Sequence, residues 1–279
     1  MDKQIGVWKQ AVLFLIVLEC NLSSFPTESA QTSGSISVDC GSNSNYVDSV
    51  RNISWVPDGE YTTNGVNGNV PSAQTYYPDF SEFKTVRYFP DSLAKNCYRF
   101  AAMPSTTYMI RGTFFYGSYD NATKLPSFQM AIDGTVVANV TFDDPTIFVY
   151  REIIFMTQLN NVTYLCLLRD SSNSVPFISA ISFWSLPDGL WNANVAAVLG
   201  EGVYLKTKYR LNFGGNDLVR HPDDAFDRYW FPTAANSTFL QSTISPVQRL
   251  TVSSPMDIVV LLGKPPEAVM DTALTSSLT

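Results

Sequence analysis

The sequence predicts an all-β chain: a jelly-roll-like β-sandwich followed by the opening of a second, truncated unit of the same kind. Three observations carry that reading. Residues 36 to 187 form a dense series of short runs rich in β-branched and aromatic residues, divided by turn signals. No helical period persists for about twelve residues anywhere in that stretch. Part of the chain also recurs: Ile36-Ser-Val-Asp-Cys-Gly41 with Trp55-Val-Pro57 returns as Tyr209-Arg-Leu-Asn-Phe-Gly-Gly215 with Trp230-Phe-Pro232. In both places a strand-like run ends in glycine and a Trp-x-Pro follows about fifteen residues on, as one structural unit used twice would give.

Taken in order, the chain opens with Lys3 and Lys9 around the apolar run Ala11-Val-Leu-Phe-Leu-Ile-Val-Leu18. A basic start, a short apolar run and polar residues beyond predict a secretory signal peptide over 1–30. The run is too short for a membrane span, which needs about 20 apolar residues. The first unit occupies 31–190, with strands expected at 36–39, 108–116, 128–132, 135–142, 150–155, 164–169 and 177–184. Asp133-Gly134 sits between two of them as a hairpin turn. The stretch 58–74, rich in Gly, Asn and Thr without hydrophobic rhythm, is expected to be a long surface loop. A linker covers 191–207 and the second, truncated unit 208–279, where the apolar run 258–262 reads as a core strand.

Export is supported by Asn-x-Ser/Thr acceptors at Asn21, Asn52, Asn121, Asn139, Asn161 and Asn236, of which the last five fall in the mature chain. A net charge of −7 without clustered cations argues against a nucleic-acid partner. With Cys20 removed, Cys40, Cys97 and Cys166 remain. Cys166 lies inside Tyr164-Leu-Cys-Leu-Leu168 and reads as a core thiol, which leaves Cys40 with Cys97 as the expected bridge.

A set of strings in order carries a family resemblance. They are Ile36-Ser-Val-Asp-Cys-Gly41, Trp55-Val-Pro-Asp58, Val86-Arg-Tyr-Phe-Pro90, Asn96-Cys-Tyr98, Tyr108-Met-Ile-Arg111 and Phe115-Tyr-Gly-Ser-Tyr-Asp120. Pro176-Phe-Ile-Ser-Ala-Ile181, Asn212-Phe-Gly-Gly215, Arg220-His-Pro-Asp-Asp224 and Asp227-Arg-Tyr-Trp230 continue it. From residue 36 onward the chain resembles the malectin-like domain of plant receptor-kinase ectodomains, in particular those that also carry leucine-rich repeats. The resemblance implies malectin-type β-sandwich modules in tandem, outside the cell or at its surface, recognising a ligand. The expected partners are a cell-wall glycan or an extracellular peptide or protein, with a receptor-kinase coreceptor. The chain carries no kinase motif such as His-Arg-Asp or Asp-Phe-Gly.

No cofactor or metal site is expected. His221 is the one histidine, and it reads as a turn residue. Asp143-Asp144 and Asp223-Asp224 support an alternative reading as a carbohydrate-active enzyme, but adjacency beside proline suits turns better than a carboxylate pair spaced across a substrate. A third reading is a truncated receptor fragment without independent function. Arg111, inside an apolar run, is expected to point away from the core or to be a paired structural charge, with a functional anion contact as the alternative. The expected ligand contacts are Tyr116, Tyr119 and Asp120, in a turn that combines aromatic faces with a carboxylate.

Overall fold

The computed structural model describes residues 34–91, 93–157, 161–170, 174–187, 203–233, 247–251 and 265–276. The expected signal peptide, Asn236, most of the linker and the 258–262 run lie outside the described residues. In chain order the first strands are β1 (Ile36–Asp39), β2 (Tyr46–Val47), β3 (Ser54–Pro57), β4 (Val66–Asn69), β5 (Thr85–Tyr88) and β6 (Lys95–Ala101). Next come β7 (Thr107–Phe114), β8 (Ser127–Ile132), β9 (Thr135–Thr141), β10 (Val149–Met156), β11 (Val162–Arg169), β12 (Phe177–Ile178) and β13 (Ala180–Ser185). The later chain supplies β14 (Tyr204–Lys206), β15 (Leu211–Phe213), β16 (Phe231–Thr233), β17 (Val247–Thr251) and β18 (Thr272–Ser276).

A seven-stranded sheet, β14-β10-β7-β13-β1-β3-β2, packs against the four-stranded sheet β6-β11-β8-β9, and β12-β5-β4 completes the first body. Alternation sets the core: Tyr98 and Phe100 of β6 and Leu165 and Leu167 of β11 meet Ile110 and Phe114 of β7 and Phe183 of β13. Aromatic contacts cross between the sheets, with Phe100 at 5.1 Å from Phe183 and Phe114 at 5.6 Å from Phe128. The strand expected at 135–142 pairs with β8 across Asp133-Gly134, whose φ angles of 47° and 88° are those a two-residue hairpin demands.

β7 and β13 are buried on both faces. Their outer face carries Met109 and Trp184, which pack with Ile154 and Leu186 under Val203, Leu205 and Phe226. This second layer encloses Arg111. It also explains why β7 reads as a continuous apolar run rather than an alternating one.

Two expectations are corrected. The stretch 58–74 is not an open loop: it holds a 3-10 turn at Asp58–Glu60, strand β4 and a helical turn at Ala73–Tyr76. Main-chain pairing of β4 with β5 supplies the order that side-chain hydrophobicity did not announce. The bridge is Cys97–Cys166, and Cys40 is the buried free thiol. β6 and β11 run antiparallel with these two residues directly opposite, Cα atoms 4.0 Å apart, whereas Cys40 faces the core beside Tyr98. The bridge closes a separation of 69 residues. Replacing both cysteines by alanine is therefore expected to cost about 4 kcal/mol in denaturant unfolding, with Cys40→Ala retaining the bridge. A paired Cys40 in peptide mapping would overturn the assignment.

The sequence recurrence has a matching backbone. β1 runs parallel to β3 with Asp39 opposite Pro57, and β15 runs parallel to β16 with Asn212 opposite Pro232. Gly41 has φ +88° and a Cβ there would lie 2.3 Å from the Val86 carbonyl oxygen of β5, so only glycine fits. Gly214 has φ +86° and abuts the Ala273 carbonyl of β18 in the same way, at 2.9 Å. Thr85 Oγ1 donates to Asp39 at 2.9 Å, and Thr272 Oγ1 donates to Asn212 at 3.0 Å. Each of β5 and β18 follows directly on a short helical turn, Ser81–Phe83 and Glu267–Met270.

Candidate functional site

The Tyr116–Asp120 turn does not present its aromatic residues as a platform. Tyr116 is 1% exposed, its ring packed near Phe142 and Phe177, and its hydroxyl donates to Asp120 Oδ1 at 2.6 Å. Burial, with Asp120 beside it, pushes the Tyr116 hydroxyl well above its ordinary value. Tyr119 is half-buried against Tyr88 and Phe177, and of the three expected contacts Asp120 alone stands exposed. Tyr116 is therefore corrected from a ligand contact to a core residue: the residue after a buried Phe114-Phe115 pair is drawn in by the same sheet. Tyr119 and Asp120 remain at the surface. The acceptors Asn52, Asn121, Asn139 and Asn161 are all exposed.

One aspartate of each pair is engaged in a local turn. Asp144 accepts from the Thr146 main-chain N–H at 2.7 Å and from its hydroxyl at 2.6 Å, which holds the exposed carboxyl below the usual range. Asp224 is buried, with Oδ1 bonded to the Phe226 and Arg228 amides and Oδ2 to Arg228 Nε and Trp230 Nε1, each at 2.8–3.1 Å. These carboxylates spend their lone pairs on local turns, as adjacency to Pro145 and Pro222 suggested. His221 is a buried turn residue with Nδ1 bonded to the Arg51 carbonyl. Among the described residues no His, Cys, Asp and Glu group could hold a metal ion.

Arg111 is a paired charge. It is fully buried and contacts Glu152 at 3.3 Å, Ser182 Oγ at 3.1 Å and both the carboxylate and the carbonyl of Asp227. Arg220 donates to Asp227 from Nε at 2.8 Å and Nη2 at 2.9 Å, and to Glu82 from Nη1 at 3.0 Å. Arg210 pairs with Glu152. Three guanidinium groups thus neutralise three carboxylates, and the Tyr229 ring lies 3.7 Å from Arg111 and 4.7 Å from Arg220. Burial alone would push the Asp227 carboxyl up, but Arg220 and Arg111 outweigh it and hold it at about 2. This network fastens the 220–229 segment onto β7, β10 and β13.

Beside that anchor lies an open groove of about 340 Å³. One wall is the start of β10, Phe148 to Arg151; the other is Lys208 to Leu211 together with Phe231. Tyr150 stacks on Phe231, with centroids 5.4 Å apart and planes 18° from parallel, and Phe148 adds a third ring at 6.2 Å from Phe231. Tyr209 stands 60% exposed at the rim, with the Lys208 ammonium 5.5 Å from its ring centre. Among the described residues Arg151 donates only to main-chain carbonyls, Asn139 at 2.6 Å and Tyr150 at 2.8 Å. Sequence reasoning missed these residues. The one signal available was Trp230-Phe-Pro232, whose recurrence marked a strand without showing what it would face.

The model of the malectin-like domain family matches residues 38–279. The chain is 29% identical over 261 residues to an uncharacterized protein of Arabidopsis thaliana, covering 92% of this chain and 48% of that one. It is 30% identical over 210 residues to a leucine-rich repeat receptor-like serine/threonine-protein kinase of the same plant, covering 74% of this chain and 23% of the kinase. The chain therefore spans about half the length of the first relative and about a quarter of the second. The ANX2 ectodomain crystal structure superposes with a TM-score of 0.66 at 19% identity, over 85% of this chain and 64% of that one. A structure of the plant peptide RALF23 in complex with FER and LLG2 gives 0.58 at 18% identity, over 84% and 62%. At such identities the likeness is one of fold.

Proposed function

We propose that this chain, which belongs to the malectin-like domain family, is a non-catalytic recognition module working outside the cell or at its surface. The observation that carries the reading is the open aromatic and cationic groove between β10 and the 208–211 segment, built on a buried ionic anchor. A rigid sandwich presenting a concave, partly apolar surface suits binding, and one aspartate of each acidic pair, Asp144 and Asp224, is engaged in a local turn. Receptor-kinase relatives favour a cell-surface setting, and the exposed Asn52, Asn121, Asn139 and Asn161 suit a glycosylated, exported chain. A relative in fold is found with a peptide and a further protein, which favours a peptide or protein partner over a wall glycan. The exposed Asp120 with Tyr119 is a second contact on the same chain. We also read 208–279 as the opening of a second malectin-type module, on the strength of the repeated β1–β3–β5 arrangement in β15, β16 and β18.

The test is binding of the secreted, glycosylated chain to extracellular peptide fractions, wall polysaccharide fractions and receptor-kinase ectodomains by interferometry. Saturable binding, weakened about tenfold by Tyr209→Ala, is expected, since rim aromatics anchor such contacts. Turnover of a wall polysaccharide, lost on Asp143→Asn or Asp223→Asn, would replace this reading with the enzymatic one.

A further inference from the structure

We propose that the groove formed by Tyr150, Arg151, Lys208, Tyr209, Leu211 and Phe231 docks an extended acidic peptide segment carrying an aromatic or aliphatic anchor. The inference rests on the recognition reading above and names the ligand class for that site.

Charge is the first argument. The chain carries a net −7, yet this groove gathers Arg151, Lys208 and Arg210. Arg210 is neutralised by Glu152, but Arg151 and Lys208 have no carboxylate within ion-pair reach among the described residues. Arg151 is half-buried and among the described residues bonds only to carbonyl oxygens, and burial pushes its guanidinium below the ordinary value. A partly desolvated cation without a counter-charge gains most from an incoming carboxylate, which a guanidinium accepts through two parallel bonds. An isolated cationic groove on an acidic body also draws anions in selectively.

Lining chemistry decides between peptide and glycan. Each sugar hydroxyl brings a proton that needs an acceptor, and sugar sites supply carboxylates and carboxamides for it. Among the described residues the groove has neither: its side chains are Phe148, Val149, Tyr150, Arg151, Lys208, Tyr209, Arg210, Leu211 and Phe231. The carbonyls of Tyr150 and Asn139 beside it already accept from Arg151. An uronic acid would satisfy the cations but leave its hydroxyls facing rings. A peptide places carboxylates at the rim and an apolar side chain on the Tyr150–Phe231 stack, and about 340 Å³ suits one such anchor with its neighbours.

The experiment pans a randomised decapeptide library against the secreted chain and, in parallel, against Arg151→Gln/Lys208→Gln and the surface variant Lys208→Glu. Sequences combining Asp or Glu with Phe, Tyr, Trp or Leu are expected from the wild type. Their affinity should fall about tenfold in the double variant and decline with added salt, as expected for a lost charge-assisted contact. Thermal melts matching the wild type keep a folding defect from imitating that loss, and Lys208→Glu changes only an exposed side chain. Enrichment of neutral or basic sequences, equal enrichment by the variants, or no enrichment overturns the proposal. So does displacement of the selected peptides by oligogalacturonate at lower concentration than by free peptide, or occupation of the groove by a second copy in sedimentation. If binding to extracellular fractions persists while the library fails, the groove assignment falls and the recognition reading stands.

Discussion

Asp227→Ala is expected to destabilise the chain by about 3–5 kcal/mol, the cost of stranding buried charge. The carboxylate accepts from Arg111, from Arg220 twice and from the His221 amide, all of them buried. Its removal leaves two guanidinium groups beside Tyr229 with Glu82 and Glu152 as the remaining carboxylates. Asp223→Ala, four residues earlier in the chain and exposed, should stay within about 0.5 kcal/mol. In an Arg111→Met background the Asp227 change should cost less, because one of the stranded charges is already gone; the coupling measures the pair rather than the packing. Chemical denaturation of all four variants reads these values. A loss under about 1 kcal/mol for Asp227→Ala would mean that water reaches the network and that it does not anchor the 220–229 segment. The consequence extends to recognition. That segment leads directly into Phe231, so a loosened anchor should also blur the groove and weaken binding.

What was legible in the sequence follows from what each element depends on. The strands at 108–116, 128–132 and 150–155 were visible because burial against a core leaves a pattern of side chains, and Asp133-Gly134 was visible because few residues take its dihedral angles. The Gly41 and Gly214 positions were visible as a repeat, and their backbone contacts with β5 and β18 give the reason. β4 was hidden because main-chain bonds alone define it, in a stretch of Gly and Asn. The disulfide was misassigned because pairing depends on register: Cys166 opposite Cys97 is a property of two strands that lie far apart in sequence. Tyr116 was misread for a related reason, since a turn in sequence can keep its first ring inside the sandwich. The groove was out of reach altogether, for its walls come from β10 and from residues about sixty positions later, and no local pattern in either declares the other.

Asp39 gives the chain a stability that declines as pH rises, and the recurrence explains why. Its carboxyl is 3% exposed on β1. Burial raises it; the hydroxyls of Tyr46 at 2.8 Å and Thr85 at 2.9 Å pull the other way, and the charges of Glu82 and Asp58 raise it further, leaving it at about 7. Asp58 is itself engaged by Arg87 and the Tyr98 hydroxyl, and Glu82 by Arg220, so neither of those cations is spare for Asp39. Below the ordinary carboxyl value of 3.8 the group is neutral in both folded and unfolded chains, and its contribution is fully present. Between there and 7 the unfolded chain ionises first, so stability is lost as pH rises through that window, to a total of about 4 kcal/mol above it. Asp227, held near 2, acts in the opposite sense and withdraws stability only as pH falls below 3.8. The second copy of the repeat carries Asn212 where the first has Asp39, opposite the corresponding proline, Pro232 in place of Pro57, and bonded to the corresponding threonine. A neutral amide thus fills this position natively, which makes Asp39→Asn a conservative probe. Denaturation midpoints of the wild type should fall from pH 5 to pH 8, while those of the variant should fall far less and cross above the wild type near neutrality. Parallel curves for the two proteins would show that Asp39 is ionised throughout, with its two hydroxyl donors outweighing its burial.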